Sequence, residues 1–373
     1  MNGLKKIKVA FFLGALERGG METLLLDVLM MGDDAPFDMI LLYREEGSIS
    51  ARFRETGARM FKVTPRGGLD VAFAWRLRRL LRRERVEVVH AQHPLEGAYA
   101  LVATAATRVR VVMSMHGYDF HQSRKGARIT AWALRHTRMN FFVSRALRRY
   151  YERKYRLSPD KQQVLYNGVR MDRVVPAGGR EFDGTWRLGM VGSFQEGRDQ
   201  LMVCRFLDLL RGAGVAFHFD FVGRCDTPAG EACVSFCREH GLEEYVSFLG
   251  AREDVPEFLA GLDAFVYATV HDSFGIAMVE AIAAGLPVFV NDWEVAREVT
   301  EEGALATIYR SGDADDLLRR FLHFTEHPDD YRRRAATAAA RVRGKYDIRF
   351  HVGGLGLFYF RLFPGRISRA KRG

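Results

Sequence analysis

The feature that most constrains this chain is an alternation of short apolar runs with amphipathic segments, run through twice. Residues 8–13, 38–43, 86–90, 109–115 and 139–143 read as strands, several apolar throughout, as parallel strands buried on both faces are. Between them, 21–31, 71–83, 96–107 and 144–155 repeat apolar residues at helical spacing. A stretch without periodicity, holding Pro176-Ala177-Gly178-Gly179 and Gly184, separates this half from a second alternation. There, 186–191, 217–222, 246–249, 264–268, 288–290 and 306–309 read as strands, and 200–211, 231–240, 256–262, 275–284 and 314–325 as helices. The pattern predicts an α/β protein of two doubly wound, Rossmann-like domains, residues 1–175 and 185–345, followed by a crossover helix and basic tail over 346–373. Ligands of such folds lie at the carboxyl ends of the strands, so the site is expected in a crevice between the domains.

Composition narrows the function. With 48% hydrophobic and 12% aromatic residues the chain is not a disordered one. Its cysteines, Cys204, Cys225, Cys233 and Cys237, are too few and too clustered for a disulfide scaffold, which points to a reducing compartment. Lys5-Lys6-Ile7-Lys8 and the apolar run after it mimic a secretory signal, but Glu17-Arg18-Gly19-Gly20 stands where a cleavage site would be, and a first strand is expected instead. No apolar run approaches the roughly 18 residues of a membrane span. The net charge of +10 is unevenly spread: residues 1–180 hold 33 Lys and Arg against 17 Asp and Glu, net +16. Residues 181–345 are −11 and 346–373 are +5. Such asymmetry points to a basic face that meets nucleic acid or a membrane surface.

Four motifs sit at expected strand ends. Gly19-Gly20-Met21-Glu22 opens a helix, where glycines and the helix dipole suit an anion, although a tight turn explains the pair equally well. His116-Gly117 ends a strand and can donate to a hydroxyl or phosphate, or be a structural histidine. Gly192-Ser193 followed by Arg198 at a helix start suits a diphosphate, or is an exposed turn. The most informative stretch runs from Phe265 to Val288 as strand, loop, helix and strand, with Asp272 in the loop and Glu280 eight positions on. Two carboxylates so spaced can each accept from vicinal hydroxyls, and Glu280 is set among apolar helix neighbours that leave it in want of a polar ligand.

These residues resemble the retaining glycosyltransferases of family 4, in the branch that builds bacterial polysaccharides and lipid-linked glycans. Asp272 to Val288 is similar to that family's acid, Gly-Phe-Gly, Glu-Ala and Gly-Leu-Pro-Val hallmark; Gly19-Gly20-Met21-Glu22, 88–92, His116-Gly117, Asn167-Gly168-Val169 and Gly192 with Arg198 extend the likeness along nearly the whole chain. The resemblance implies a GT-B fold: two Rossmann-like domains facing a cleft, with the last helix crossing back to the N-terminal domain. It implies a nucleotide-sugar donor, UDP- or GDP-linked, with neither cofactor nor metal. Glu280 would hold the donor ribose, Asp272 and His116 the transferred sugar, and Arg198 the leaving diphosphate. Gly192, Ser193, Gly19, Gly20 and the backbone N–H groups of Phe274 and Gly275 would complete the donor site. Asp272 stands where the family usually has Glu, and Ser193 where Arg or Asn is usual.

The remaining features are less specific. Cys225, Cys233, Cys237 and His240 lack the close cysteine pairs of a zinc site, and the last three are expected to share a core helix face. Two arginine-rich runs, Arg76 to Arg85 and Arg145 to Arg156, the second with Tyr150, Tyr151 and Tyr155, suit anionic lipid headgroups or a solvated face, and carry no nucleic-acid-binding motif. The tail, 358–363 with Arg369, Lys371 and Arg372, reads as an aromatic, basic helix beside them. The expectation is a cytoplasmic enzyme, peripheral at the inner face of the cell membrane, that glycosylates a lipid-linked or polysaccharide acceptor and does not bind nucleic acid. The rivals are an epimerase or hydrolase of nucleotide sugars on the same scaffold and, in another class, a basic nucleic-acid-binding protein.

Overall fold

The computed structural model describes residues 6–66, 70–178 and 181–364. The chain divides into two compact units: Met1–Gly168 with Ile348–Gly373, and Val169–Asp347.

The first unit is built on seven strands, β1 (Ile7–Ala15), β2 (Phe37–Glu45), β3 (Arg59–Lys62), β4 (Val88–Ala91), β5 (Arg110–Met115), β6 (Met139–Phe142) and β7 (Gln162–Val164). All neighbours are parallel, in the order β3-β2-β1-β4-β5-β6-β7. The apolar run after Lys8 is therefore an interior strand, hydrogen-bonded on both sides. Its odd residues Ile7, Val9, Phe11 and Leu13 enter one core and its even residues Ala10 and Phe12 the other, which is why the run shows no alternation. The two edge strands were not anticipated from sequence. β3 reads Arg-Met-Phe-Lys with both ends exposed, and β7 carries two glutamines, so neither has the apolar signal of a strand covered on both sides.

The last helix, Ile348–Arg361, belongs to this unit. It buries Ile348, Val352, Leu355 and Tyr359, spaced by four, three and four, in the core against β1 and β2. Full burial of such side chains contributes about 1.5–3 kcal/mol each as an upper estimate. Its deepest residue closes a polar chain: Tyr359 Oη lies 2.5 Å from His90 Nδ1, and His90 Nε2 lies 2.7 Å from Ser114 Oγ. The expected basic tail at Arg369, Lys371 and Arg372 lies outside the described residues.

The second unit has six parallel strands, β8 (Trp186–Val191), β9 (Phe217–Val222), β10 (Val246–Phe248), β11 (Ala264–Tyr267), β12 (Val288–Asn291) and β13 (Thr307–Tyr309), in the order β10-β9-β8-β11-β12-β13. Each sheet thus reverses direction once, between β1 and β4 in the first and between β8 and β11 in the second. The crevice at such a reversal is where open α/β sheets bind ligands.

Helices Arg124–His136 and Pro328–Tyr346 were missed by periodicity. The second buries Ala335 and Ala338 between Tyr331 and Val342, a stripe of small residues among arginines that shows little contrast. Among the described residues, no helix is long and apolar enough to cross a membrane, and no group of His, Cys, Asp or Glu is arranged to hold a metal ion. Cys233 and Cys237 are core residues, but His240 corrects the expectation of a shared buried face. It caps the helix Pro228–Glu239 at the surface, stacks on Phe236 and sits 2.8 Å from Asp208.

Candidate active site

In the second unit, the strand ends at the reversal carry a charged constellation. β8 runs into the loop holding Gly192, Ser193 and Arg198; β11 ends at Tyr267 and runs into the loop holding Asp272. The two loops are stitched together, since Arg198 pairs with Thr269 as an antiparallel bridge. Thr269 Oγ1 and the Val270 N–H also donate to the Gly197 carbonyl, at 2.7 and 2.9 Å. Gly197 is at φ +94°, and a Cβ there would stand 2.6 Å from the His271 ring, so only glycine brings the loops this close.

Arg198 Nη1 donates to Asp272 Oδ2 at 2.6 Å and to the Tyr267 hydroxyl, which in turn donates to Asp272 Oδ2. The guanidinium also lies 5.2 Å from the Tyr267 ring centroid. Asp272 Oδ1 accepts from the Ser273 N–H (2.6 Å) and the Phe274 N–H (3.3 Å), while Trp293 Nε1 donates to the Asp272 carbonyl (3.0 Å). Burial alone would raise the Asp272 carboxyl. The Arg198 cation, the Tyr267 hydroxyl and the Phe274 N–H outweigh it, and its pKa falls below the ordinary value. Burial opposes the charge on Arg198 too, and Tyr267 and Asp272 overcome it. The pair stays ionised.

Directly after this loop, Gly275 at φ +85° caps the helix Ile276–Ala283. A Cβ on Gly275 would sit 3.2 Å from Met278 Cε and 3.5 Å from the Tyr267 hydroxyl, so this turn too is a glycine position. Phe274 is buried edge-on against Tyr346, which fixes the turn from below. Glu280 is half-buried on the same helix. Gly192 faces the cation, because a Cβ built there would lie 3.7 Å from Arg198 Nε, and Ser193 is exposed. Of the residues expected from sequence, Arg198, Asp272, Phe274 and Gly192 are thus brought together, with Gly275 opening the adjoining helix. Tyr267, Trp293 and Thr269 were missed. Tyr267 lies inside an apolar strand, where its hydroxyl gave no pattern to detect.

The first unit presents a different set at its strand ends. Gly19 caps the helix Gly20–Met30 without a side-chain bond, and the Glu22 carboxyl turns back toward it, its pKa raised chiefly by burial. His116 follows β5 directly. Its Nε2 lies 2.8 Å from Gln92 Oε1, and Gln92 Nε2 donates to the His90 carbonyl (3.3 Å). Burial, reinforced by His93 and His351, lowers the His116 pKa to about 3, so the ring is neutral. An Oε1 acceptor places the proton on Nε2 and leaves Nδ1 as an acceptor.

The loop after His116 is clamped by the helix Arg145–Tyr155. Tyr151 donates to the Gly117 carbonyl (2.9 Å), and Asp119 accepts from Tyr150 (2.8 Å), Lys154 (2.8 Å) and Tyr155. This corrects one expectation: these tyrosines do not line a lipid-facing surface. Their hydroxyls turn inward and hold the histidine loop.

The family model for Glycosyltransferase Family 4 matches residues 18–173, and that for Glycosyl transferases group 1 matches residues 185–327. Between them, these two glycosyltransferase models account for most of residues 18–327. It is 31% identical over 188 residues to a phosphatidyl-myo-inositol mannosyltransferase of Mycobacterium leprae, covering 48% of each chain. The match thus spans about half the length of that relative. It is 22% identical over 312 residues to the putative glycosyltransferase EpsF of Bacillus subtilis, covering 78% of this chain and 80% of the other. Among solved structures, Anabaena Alr3699/HepE in complex with UDP and glucose superposes with a TM-score of 0.83 at 16% identity, over 95% of this chain and 99% of that one. The fold of the chain is accordingly the two-Rossmann-domain GT-B fold.

Proposed function

We propose that the chain is a retaining hexosyltransferase that moves a sugar from a UDP- or GDP-linked donor to a lipid-linked or polysaccharide acceptor in cell-surface glycan synthesis, working at the cytoplasmic, anionic face of the cell membrane. The observation that carries this reading is the Arg198–Tyr267–Asp272 constellation at the β8/β11 reversal, beside the glycine-capped helix that bears Glu280. A phosphorylated leaving group needs a fixed cation at a strand end, and a sugar needs carboxylate acceptors beside it.

In this reading Arg198 exchanges Asp272 for the donor diphosphate. The freed carboxylate accepts from hydroxyls of the transferred sugar, and Glu280 accepts from the ribose hydroxyls. Gly192, Ser193 and the N–H groups of Phe274 and Gly275 line the diphosphate. In the first unit Gly19 and Gly20 approach a phosphate, and His116, neutral and oriented by Gln92, holds a sugar hydroxyl. The acceptor oxygen attacks the anomeric carbon from the side the diphosphate leaves. The C–O bond to phosphate breaks, and the acceptor proton passes to the departing phosphate oxygen, so configuration is retained without a protein nucleophile. Arg198 and the helix N-terminus stabilise the developing phosphate charge, a role that requires no metal.

The test is a thermal-shift series with UDP, GDP and ADP and their sugars, followed by donor turnover with and without acceptor. One nucleotide should raise the melting temperature, and Glu280→Ala should abolish that shift. Unchanged turnover in Glu280→Ala would sink the site, and donor converted equally well without acceptor would replace transfer by epimerisation or hydrolysis.

A further inference from the structure

The helices Val71–Arg83, Pro94–Thr104 and Arg124–His136 lie side by side on the first unit, the middle one packed against both others. Their inner faces fill the core with residues such as Phe73, Leu77, Leu81 and Ala100. Their outer faces have an unusual composition. Together the three helices carry nine Lys and Arg and a single acid, Glu96. That acid is buried and bound to Arg44 at 2.6 Å, so none of the three helices exposes a carboxylate of its own. Asp70 and Glu84, which flank the first, pair with Arg76 and Arg83, and among the described residues no carboxylate pairs with Arg78, Arg79 or Arg82. Among the cations stand large apolar side chains left in water: Val71 is 80% exposed, Trp75 61%, Val102 55% and Trp132 39%. The Arg79 guanidinium lies 5.7 Å from the Trp75 ring centroid, joining the two kinds of group on one turn.

We propose that this three-helix face is the surface by which the protein docks on an anionic lipid bilayer. Cations attract the headgroup phosphates, and indole and valine side chains bury at the headgroup level, where tryptophan is favoured. A duplex nucleic acid would use the same cations but would leave the four apolar side chains exposed between its phosphates, and a single strand could stack on the two indoles but would leave the valines in water. The arginines of this face keep their charge across the physiological pH range. The assignment rests on the reading of a membrane-bound acceptor and adds to it the surface that does the docking, which lies on helices apart from the loops of the donor site.

The test is co-sedimentation of the full chain with vesicles of phosphatidylcholine alone or with about a third phosphatidylglycerol, at low and high salt. The wild type should bind only the anionic vesicles, and less at high salt. At about 1 kcal/mol for each surface cation lost, Arg79→Glu with Arg82→Glu should weaken partitioning by at least roughly thirtyfold. Trp75→Ser with Trp132→Ser should also weaken it. Arg149→Glu with Arg153→Glu, the same charge change on the helix Arg145–Tyr155, should bind nearly as the wild type does. All variants should keep the wild-type melting temperature and its nucleotide-induced shift, which separates docking from donor binding. If the wild type binds anionic vesicles and the Arg79/Arg82 variant binds equally well, the face is wrong and the membrane reading stands. Failure of the wild type to bind anionic vesicles overturns both, and preferential binding of RNA over vesicles overturns the face in favour of nucleic acid.

Discussion

The two units carry opposite charge, and each builds its strand-end site from the kind of group its bulk charge would not suggest. Residues 1–168 with 348–373 hold 36 Lys and Arg against 16 Asp and Glu, net +20, while 169–347 hold 20 against 30, net −10. Yet the basic unit sets neutral Gln92 against His116, keeps that half-buried ring uncharged, and buries a second neutral chain, His90 with Ser114 and Tyr359, beside it in the core. The acidic unit centres its site on a cation, Arg198, held by Tyr267 and Asp272. Net charge describes surfaces that meet other surfaces. The charge at a site is set by the few groups that burial leaves in contact, and bulk solvent screens the rest.

The largest expected effect separates the two sites by charge. Replacing Arg198 with Gln removes the fixed cation, so turnover should fall by roughly a hundredfold to a thousandfold, as loss of a transition-state donor does. His116→Gln keeps a neutral donor of similar reach and should cost about tenfold, the scale of one neutral hydrogen bond. Equal losses in steady-state assays of the two variants would break the contrast.

Acid should next tell the units apart. His116 and His351 have folded pKa values of about 3 and about 4, below the 6.5 of a free imidazole, because burial disfavours the cation. The unfolded chain therefore takes up protons first as pH falls. The first unit should lose stability from about pH 6.5 downward, by up to about 1.4 kcal/mol per histidine per pH unit. In the second unit the lowered groups include the carboxylates Asp272, Asp292 and Asp316, whose contribution is kept above about pH 3.8 and lost below it. Proteolysis mapped at pH 7 and pH 5 should show cuts opening first around β4 and β5. Cuts opening first around β11 and β12 would reverse the assignment.

A smaller effect probes the neutral network alone. Tyr359→Phe leaves buried His90 Nδ1 without its partner and should destabilise the first unit by about 1–2 kcal/mol in denaturant titrations, with the second unit unmoved. The smallest belongs to the surface. Arg333→Ala deletes an exposed pair with Asp330 and should change stability by less than about 1 kcal/mol, and a larger change would mean that surface pairs sustain the acidic unit.

Much of the fold was legible because buried parallel strands advertise themselves. β1, β2, β5 and all six strands of the second unit lie where apolar runs place them, within a residue or two. The illegible elements are those whose signal burial does not produce: the edge strands β3 and β7, and the alanine-striped helix Pro328–Tyr346. At the sites, glycines and charges at strand ends were readable in Gly192, Arg198, Asp272 and Gly275. Tyr267 and Gln92 were not, because a polar group at a strand end becomes functional only through what the neighbouring segments set beside it.

The sequence by itself therefore determined two doubly wound sheets, the strand ends at which each would place its chemistry, and a family whose motifs sit there, since these depend on periodicity and on local backbone need. Only the tertiary structure decided that Arg198 and Asp272 share one hydroxyl, that His116 is neutral, and that Tyr150, Tyr151 and Tyr155 face inward. Each of these depends on distance between segments far apart in the chain, where burial and a partner within about 3 Å outweigh any property a residue carries alone.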